Sequence, residues 1–157
     1  MFELFKKEKK EVKELYSPVN GKMIKIEEVP DCVFASKMMG NGVAFNFNDG
    51  FIYAPCDCEI VLIANTKHAI GLKTVNGIEI LIHIGLETVN LKGEGFKHLK
   101  NVGDKVRKGE KLVEVDVDFM KRKGMNLITP MVITSNQEIE ICDVEDVDNK
   151  TVVIKIK

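Results

Sequence analysis

The chain contains three histidines, and two of them, His68 and His83, are placed where their imidazole rings could act together. They flank the dipeptide Asn76-Gly77, a strong signal for a hairpin turn of two residues. Imidazole titrates near neutral pH and serves as a nucleophile, a base or a metal ligand. The spacing alone leaves three interpretations open: a phosphoryl acceptor with an assisting histidine, a zinc site, and a structural pair.

The turn also predicts which side chains share a face. If Val75 pairs with Ile78 across the turn, then Ile70 lies opposite His83. Side chains alternate along a strand, so His68 and Ile70 point to one face, and His83 joins them there. The two imidazoles then become diagonal cross-strand neighbours, with backbones about 7–8 Å apart and side chains within reach.

The surrounding sequence consists of short, β-branched runs separated by Gly, Asn, Asp and Pro. This pattern favours an all-β fold, an antiparallel β-sandwich or a barrel-like form, with little helix. We predict helix at 93–100 and 118–123. The predicted strands are 22–26, 42–47, 51–53, 59–64, 69–75, 78–84, 111–117, 131–134 and 151–156.

An internal repeat supports an all-β fold. The segment 16–26 aligns with 53–63 at an offset of 37, and Tyr, Pro and two β-branched positions recur in phase. The same offset carries Asp31 onto His68. Two polar residues in equivalent copies of one β-motif could therefore form a pseudo-symmetric site.

Composition excludes several classes of function. The chain has 157 residues and a net charge of −1, which predicts no nucleic-acid partner. It contains no apolar run of about 20 residues and no signal-peptide pattern, so we expect a cytoplasmic protein. Its four cysteines include the pair Cys56 and Cys58, which we interpret as reduced structural thiols.

Residues 1–15 are rich in Lys and Glu and predict a flexible or amphipathic tail, with weak contact to a membrane surface as one interpretation. Residues 16–157 then form one domain.

Several segments together resemble the glucose-type IIA family of the bacterial sugar phosphotransferase system. The likeness runs from about residue 16 to residue 157, and its T-x-H motif precedes an H-x-G-x-[DE]-T-V motif and L-K-G-E-G-F. The segments that carry it are Val29–Ala35, Gly40–Ala44, Asn65–Ala69, Leu81–Val89 and Leu91–Phe96.

The resemblance implies a role for each matching residue. His83 would be phosphorylated at Nε2 by the phosphocarrier HPr and would pass the group to a cysteine of the permease IIB domain. His68 would assist the transfer, and the Thr66 hydroxyl would orient the ring of His68. The carbonyl of Gly85 would hold the other nitrogen of His83. The resemblance implies a phosphotransferase component with a phosphohistidine intermediate and no cofactor.

The resemblance also implies a rim and a docking face. Asp31 and Glu87 would lie at the rim. Ala64 and Gly71 stand where some family members carry Phe, so we expect a flatter docking face. His98 matches no motif position and is interpreted as a surface residue. The apolar collar of the docking face would consist of Val33, Phe34, Met38 and Val43.

The sequence fits two rival functions poorly. Related zinc peptidases need H-x-x-x-D and H-x-H pairs, and here Leu72 and Leu81 occupy two of the ligand positions. His68 and His83 could still bind zinc incidentally. A biotinyl or lipoyl carrier needs an exposed hairpin lysine, whereas the nearest candidate, Lys121, falls in a predicted helix.

Overall fold

The computed structural model describes residues 10–47 and 49–157. The described residues form fourteen strands, two short α-helices at Cys32–Ala35 and Val117–Arg122, and two 3-10 helices at Ile26–Glu28 and Thr88–Leu91. The predicted all-β fold with little helix is confirmed. The strands are β1 Glu14–Tyr16, β2 Gly21–Lys25, β3 Asn41–Phe47, β4 Phe51–Tyr53, β5 Cys58–Ile63, β6 Ala69–Lys73, β7 Glu79–His83, β8 Phe96–His98, β9 Lys105–Val106, β10 Lys111–Val115, β11 Thr129–Ile133, β12 Ile139–Ile141, β13 Asp146–Val147 and β14 Val152–Ile156.

The strands form one large sheet and two small sheets, all antiparallel in their pairing. The large sheet has the order β13-β2-β3-β11-β7-β6-β5-β9, and the small sheets have the orders β1-β14-β12 and β4-β10-β8. Each order is consistent with a pseudo-two-fold axis between β11 and β7, which exchanges β2 with β5 and β1 with β4. The Tyr16 N–H donates to the Pro55 carbonyl at 2.8 Å, and the Tyr53 N–H donates to the Pro18 carbonyl at 2.7 Å. The internal repeat predicted at an offset of 37 is therefore a structural repeat.

The repeat does not extend to Asp31 and His68. Residues 26–40 connect β2 to β3 through two helical turns, whereas residues 64–68 connect β5 to β6 by a short turn. Asp31 caps the helix Cys32–Ala35, and His68 ends the short turn. The prediction that these two residues are equivalent is wrong, because the longer connection has no counterpart in the second copy.

The inner face of the large sheet packs with both small sheets in one apolar core. Burial of a large aliphatic side chain stabilises the fold by about 1.5–3 kcal/mol, so this core holds the sheets together. The inner-face residues include Val43, Phe45, Ile70, Leu72, Ile80, Ile82, Met131 and Ile133.

A second, smaller cluster covers the outer face of the large sheet. This outer-face cluster consists of Ile26, Val29, Phe34, Ala44, Leu86 and Val132. Because side chains alternate along β7, Ile82 points to the core, whereas Leu81 and His83 point to the outer face. His83 therefore emerges beside the outer-face cluster.

The hairpin between β6 and β7 differs from its prediction by one residue. His83 pairs with Ala69, and Thr74 donates its backbone N–H to the carbonyl of Ile78 at 3.0 Å. The loop thus has three residues, 75–77, and Gly77 adopts a left-handed φ of 84°. Three-residue hairpin loops use a left-handed residue at this last position, and Gly adopts it without steric cost.

Of the two predicted helices, the structure contains one. The helix predicted at 118–123 is confirmed at Val117–Arg122, but the helix predicted at 93–100 is wrong, since strand β8 occupies 96–98. Gly93 and Gly95 have φ values of 93° and 87°, which no right-handed helix accommodates. All nine predicted strands are present, with ends shifted by up to two residues. Strands β1, β8, β9, β12 and β13 were not predicted.

The predicted tail of residues 1–15 is partly ordered. Residues 1–9 lie outside the described part of the chain. Strand β1 pairs with β14, and Leu15 is buried in the core, so the boundary predicted at residue 15 falls inside a strand. Val12 is bonded through its backbone N–H and carbonyl to the side chain of Asn76, at 3.1 and 3.0 Å. Within residues 10–47 and 49–157, no helix is long and apolar enough to cross a bilayer.

Candidate phosphoryl-transfer site

His83 ends strand β7 with its ring held by a backbone carbonyl. Its Nδ1 lies 2.7 Å from the carbonyl oxygen of Gly85. A carbonyl oxygen only accepts, so Nδ1 carries the hydrogen and donates it. The Nε2 atom is then the unprotonated nitrogen, with its lone pair available to a reaction partner.

Gly85 is shaped for this contact. Its φ is 77°, and an added Cβ would lie 2.7 Å from Cγ2 of Thr88. Its N–H donates to the Thr129 hydroxyl at 3.3 Å. Only glycine combines this backbone conformation with this close packing, so the carbonyl that orients His83 depends on residue 85 having no side chain.

His68 lies beside His83, as the sequence predicted. The two ring centroids are 4.8 Å apart, and the rings meet edge to face at 75°. The predicted reason for this proximity is wrong. Ala69 pairs with His83 in the observed register, so a residue 68 that continued β6 would point to the opposite face from His83. His68 instead precedes β6 and follows Lys67, whose left-handed φ of 63° turns the chain.

Two contacts orient His68. The hydroxyl of Thr66 lies 2.7 Å from Nδ1 of the imidazole. The carbonyl of His68 accepts a hydrogen bond from the backbone N–H of Ile84 at 2.7 Å. Thr66 and His68 thus have the contact that the T-x-H motif predicted. When the hydroxyl donates, Nε2 of His68 carries the hydrogen and becomes a donor.

Phe34 supports the His83 ring from the outer-face cluster. The ring centroids of Phe34 and His83 are 5.0 Å apart in an edge arrangement. Phe34 is only 5% exposed, so the prediction that it forms an exposed docking surface is wrong. The helix Cys32–Ala35 turns Phe34 inward onto the sheet, where it packs with Ala44 and Val132. Phe34 therefore positions His83 and does not itself present an apolar surface.

The other predicted rim and collar residues divide into exposed and buried members. Val33 and Met38 are exposed at 38% and 76%, whereas Val43 is buried at 1%. Placing Val43 in the collar was wrong, because its side chain points to the inner face of β3 and into the core. Glu87 is exposed, with a left-handed φ of 59°, at the start of the 3-10 helix Thr88–Leu91.

Asp31 lies close enough to affect the charge of His83. Its carboxylate accepts the backbone N–H of Val33 at 3.0 Å and so caps the helix Cys32–Ala35. The negative charge of Asp31 favours the protonated form of His83 and raises its pKa, although burial outweighs this effect. Asp31 thus reaches the site electrostatically, as a rim residue would.

His98 was interpreted from sequence as a surface residue, and this was wrong. It is half-buried, and its Nε2 lies 2.8 Å from the carbonyl oxygen of Lys67. The available signal was the alternation of β8, in which His98 shares a face with the buried Phe96. The mistaken prediction of helix in this segment hid that alternation.

Burial lowers the pKa of both site histidines. For His68, burial acts first and the charge of the neighbouring His83 adds to it. For His83, burial lowers the pKa against the opposing effects of the Gly85 carbonyl and of Asp31. Burial disfavours the charged form of an imidazole, so both rings are neutral at neutral pH.

We predict that both histidines titrate below the ordinary histidine pKa of about 6.5. Nitrogen-edited NMR of the imidazoles across pH 4.5 to 8 measures the two midpoints. The unfolded chain binds these protons more tightly than the folded chain. The free energy of unfolding is therefore highest above about pH 6.5, and it falls as the pH drops through the folded pKa values. A midpoint above 6.5 for His83 would contradict the prediction, and a His83→Gln variant should lose less stability on acidification.

The described residues contain no group of three or more His, Cys, Asp or Glu side chains placed to hold a metal ion. His68 and His83 alone would supply only two of the four ligands that zinc usually takes in proteins. The four cysteines are free; Cys56 and Cys58 are buried, Cys142 is half-buried and Cys32 is exposed.

Comparison with known proteins shows the family of this chain. The family model described as "phosphoenolpyruvate-dependent sugar phosphotransferase system, EIIA 1" matches residues 13–139. The chain belongs to this family. As a IIA component it has a phosphoryl-carrier role in sugar uptake, and its phosphotransferase chemistry follows from the same membership.

Three relatives show how closely the IIA chain follows its family. It is 49% identical over 127 residues to the glucose-specific EIIA component of Halalkalibacterium halodurans, with 81% of this chain and 73% of that protein covered. It is 44% identical over 144 residues to the glucose-specific EIICBA component of Staphylococcus saprophyticus, covering 90% of this chain and 21% of that longer protein. The glucose permease IIA of Mycoplasma capricolum matches with a TM-score of 0.84 and 37% identity, over 91% of this chain and 94% of that one.

Proposed function

We propose that this IIA component accepts a phosphoryl group on Nε2 of His83 from phospho-HPr and passes it to a cysteine of a IIB permease domain. The observation that carries the proposal is the hydrogen bond from Nδ1 of His83 to the Gly85 carbonyl, at 2.7 Å. That bond leaves the Nε2 lone pair as the nucleophile and fixes the direction in which it points. A cytoplasmic location belongs to the same proposal.

The two transfers are displacements at phosphorus. In the first, the Nε2 lone pair of His83 forms an N–P bond while the bond from phosphorus to the donor's histidine nitrogen breaks. In the second, a cysteine thiolate forms an S–P bond, the N–P bond breaks, and the electron pair returns to Nε2. Such transfers need alignment and charge stabilisation more than covalent machinery.

His68 supplies charge stabilisation in this proposal. Its ring lies 4.8 Å from that of His83, centroid to centroid. With the Thr66 hydroxyl donating to Nδ1, the Nε2–H of His68 is available to a phosphoryl oxygen. A donor held in place before the reaction costs no reorganisation when charge develops on the transferring group.

The neutral state of His83 suits the acceptor role. A protonated Nε2 has no lone pair and cannot attack phosphorus. The lowered pKa caused by burial keeps the ring neutral at the pH of the cell interior. Phe34 packs against the ring and limits the directions in which it can rotate.

The partner in the second transfer is suggested by a relative. The Staphylococcus saprophyticus protein is named as an EIICBA component, in which the region similar to this chain accompanies further components of one polypeptide. A IIB domain is therefore the expected acceptor for this chain. HPr as donor is a proposal from the resemblance of the His68 and His83 motifs to the family.

Labelling tests the proposal directly. The chain is incubated with enzyme I, HPr and phosphoenolpyruvate labelled at phosphorus, and the modified residue is mapped under alkaline conditions that preserve phosphohistidine. Label on His83 that depends on HPr, and that chases onto IIB, is the expected result. Label on any other residue would overturn the assignment of His83.

Docking of both partners is expected to use Val33 and Met38, the exposed members of the apolar collar that the resemblance implies. We predict that Met38→Asp raises the KM for phospho-HPr by roughly five- to tenfold and leaves kcat nearly unchanged, because a charge there opposes apolar contact without touching His83. Steady-state transfer assays at varied HPr concentration measure both constants. Met38 is 76% exposed, so the fold should be unaffected.

The matched control is Val75, an exposed apolar residue in the hairpin loop 75–77. This loop joins β6 to β7 at the ends of these strands that lie away from His83. Val75→Asp should leave both constants at wild-type values, because Val75 is exposed like Met38, at 62%, but lies at the end of β6 and β7 far from His83. A KM for Met38→Asp equal to that of the wild type would remove Met38 from the docking surface.

A further inference from the structure

His98 presents a fixed hydrogen-bond donor to the turn that carries His68. Its Nε2 lies 2.8 Å from the carbonyl oxygen of Lys67, so Nε2 must carry the hydrogen. Its Nδ1 is buried and has no hydrogen-bond partner among the described residues. A second N–H at Nδ1 would be left buried and unpaired, so the neutral Nε2–H form is favoured.

The bonded carbonyl belongs to the peptide group that joins Lys67 to His68. The neighbouring bonds hold the two ends of this stretch: Lys67 N–H donates to the Ala64 carbonyl at 2.8 Å, and the His68 carbonyl accepts from Ile84 at 2.7 Å. Between those ends, Lys67 has a left-handed φ of 63°, which side-chain-bearing residues adopt only with support from their surroundings. The His98 bond fixes the one peptide plane that the end bonds leave free to rotate.

The donor is itself anchored in a different sheet. His98 ends strand β8 and pairs with Val113 of β10, within the small sheet β4-β10-β8. The turn 64–68 belongs to the large sheet, between β5 and β6. The bond from His98 to Lys67 therefore fixes the turn relative to the core and not merely within itself.

We propose that His98 is a positioning residue for phosphoryl transfer, whose Nε2–H holds the Lys67–His68 peptide so that the His68 ring faces His83. The proposal rests on the proposed function, in which His68 stabilises the transferring group. Rotation of this peptide changes φ of His68 and swings its imidazole away from His83. A small misplacement of an assisting group lowers the rate of a transfer without removing its chemistry.

Three substitutions of His98 separate the donor from the bulk of the ring. His98→Gln places an amide N–H near the position of Nε2, and His98→Asn carries the same amide one carbon short of the Lys67 carbonyl. His98→Phe keeps the volume of the ring and removes the donor. Lys97→Gln, which alters the exposed neighbour, is the control for changes to strand β8.

The first measurement needs no phosphate. Nitrogen-edited NMR of the unphosphorylated protein reports the imidazole shifts of His68, which depend on its contacts with Thr66 and His83. We expect shifted His68 signals in His98→Asn and His98→Phe, and near-native signals in His98→Gln and Lys97→Gln. Unchanged His68 signals in both Asn and Phe variants would overturn the proposal, even if the proposed function were correct.

The second measurement is discharge of preloaded His83 onto IIB. His98→Asn and His98→Phe should discharge about tenfold more slowly, and His98→Gln should recover to within about threefold of the wild type. Equal rates for Gln and Asn would show that the donor is not responsible, and would also overturn the proposal. A wild-type chain that takes no label on His83 contradicts the proposed function instead, while the NMR result still decides the role of His98.

Discussion

A His83→Ala variant should accept no phosphoryl group from phospho-HPr, with transfer reduced by at least about a thousandfold. No other described side chain combines an unprotonated imidazole nitrogen with the neighbouring donor of His68, so loss of the nucleophile removes the step itself. The measurement is incorporation of labelled phosphate at saturating enzyme I and HPr. Labelling at the wild-type rate would show that the acceptor lies elsewhere.

The variant must be shown to fold before its inactivity is interpreted. His83 is half-buried and touches Phe34, so truncation leaves space beside the outer-face cluster and lowers the stability of the fold. His83→Gln keeps more of the volume and should be equally inactive, with a smaller loss of stability. Thermal unfolding and the amide NMR spectrum of both variants distinguish a lost nucleophile from a lost fold.

A His68→Gln variant should still be charged at His83 but should discharge onto IIB about ten- to a hundredfold more slowly. Removal of one preorganised donor costs about 10²–10³ in rate in an enclosed site, and the half-exposed position of His68 reduces that cost through screening by water. Glutamine keeps an N–H, but it lacks the Nδ1 through which Thr66 orients the ring, so the preorganised donor is lost. The measurement charges the variant with labelled phosphate and times its discharge.

Thr66→Val is the matched partner of this variant. It removes the hydroxyl that lies 2.7 Å from Nδ1 of His68 and keeps the shape of the side chain. Discharge should slow in the same direction by a smaller factor, because the ring remains but its tautomer and orientation are no longer held. Discharge of His68→Gln at the wild-type rate, or complete failure of His83 to charge in it, would contradict the assigned roles.

We expect different defects in the His83 and His68 variants because the two histidines have different hydrogen-bond partners. Nδ1 of His83 donates to a backbone carbonyl, which leaves a free lone pair on Nε2. Nδ1 of His68 meets a hydroxyl that can donate to it, which leaves an N–H on Nε2. In the proposed mechanism the same side chain therefore serves as a nucleophile in one position and as a donor in the other.

Much of the fold and the site could be predicted from local pattern. Alternating β-branched runs and turn residues predicted nine of the strands, and the repeat of segments 16–26 and 53–63 predicted the structural repeat. The adjacency of His68 and His83 was also predicted, and the ring separation of 4.8 Å confirms it. The roles assigned to Thr66, Gly85 and the two histidines remain predictions.

Local pattern failed where one residue in a turn changed the register. Asn76-Gly77 suits a two-residue loop as well as a three-residue loop that ends in Gly77. The tertiary structure selects the longer loop, in which the Thr74 hydroxyl accepts the Ile78 N–H and Asn76 bonds both the Thr74 hydroxyl and Val12. These contacts join residues as far as 64 positions apart, and no window of sequence contains them.

By itself, the sequence determined the all-β class and the repeat, because each depends on alternation and on motifs within short segments. The meeting of the two histidines was predicted from a register that the structure does not have, and the left-handed turn at Lys67 brings it about. Only the tertiary structure decided that Phe34 is buried against His83 and that His98 supports the turn before His68. Both contacts arise where separate elements cross, from a helix laid over the outer face and from a strand of another sheet. These contacts form only when the separate elements pack together, and packing decides which side chains are buried. A single segment of sequence does not contain that information.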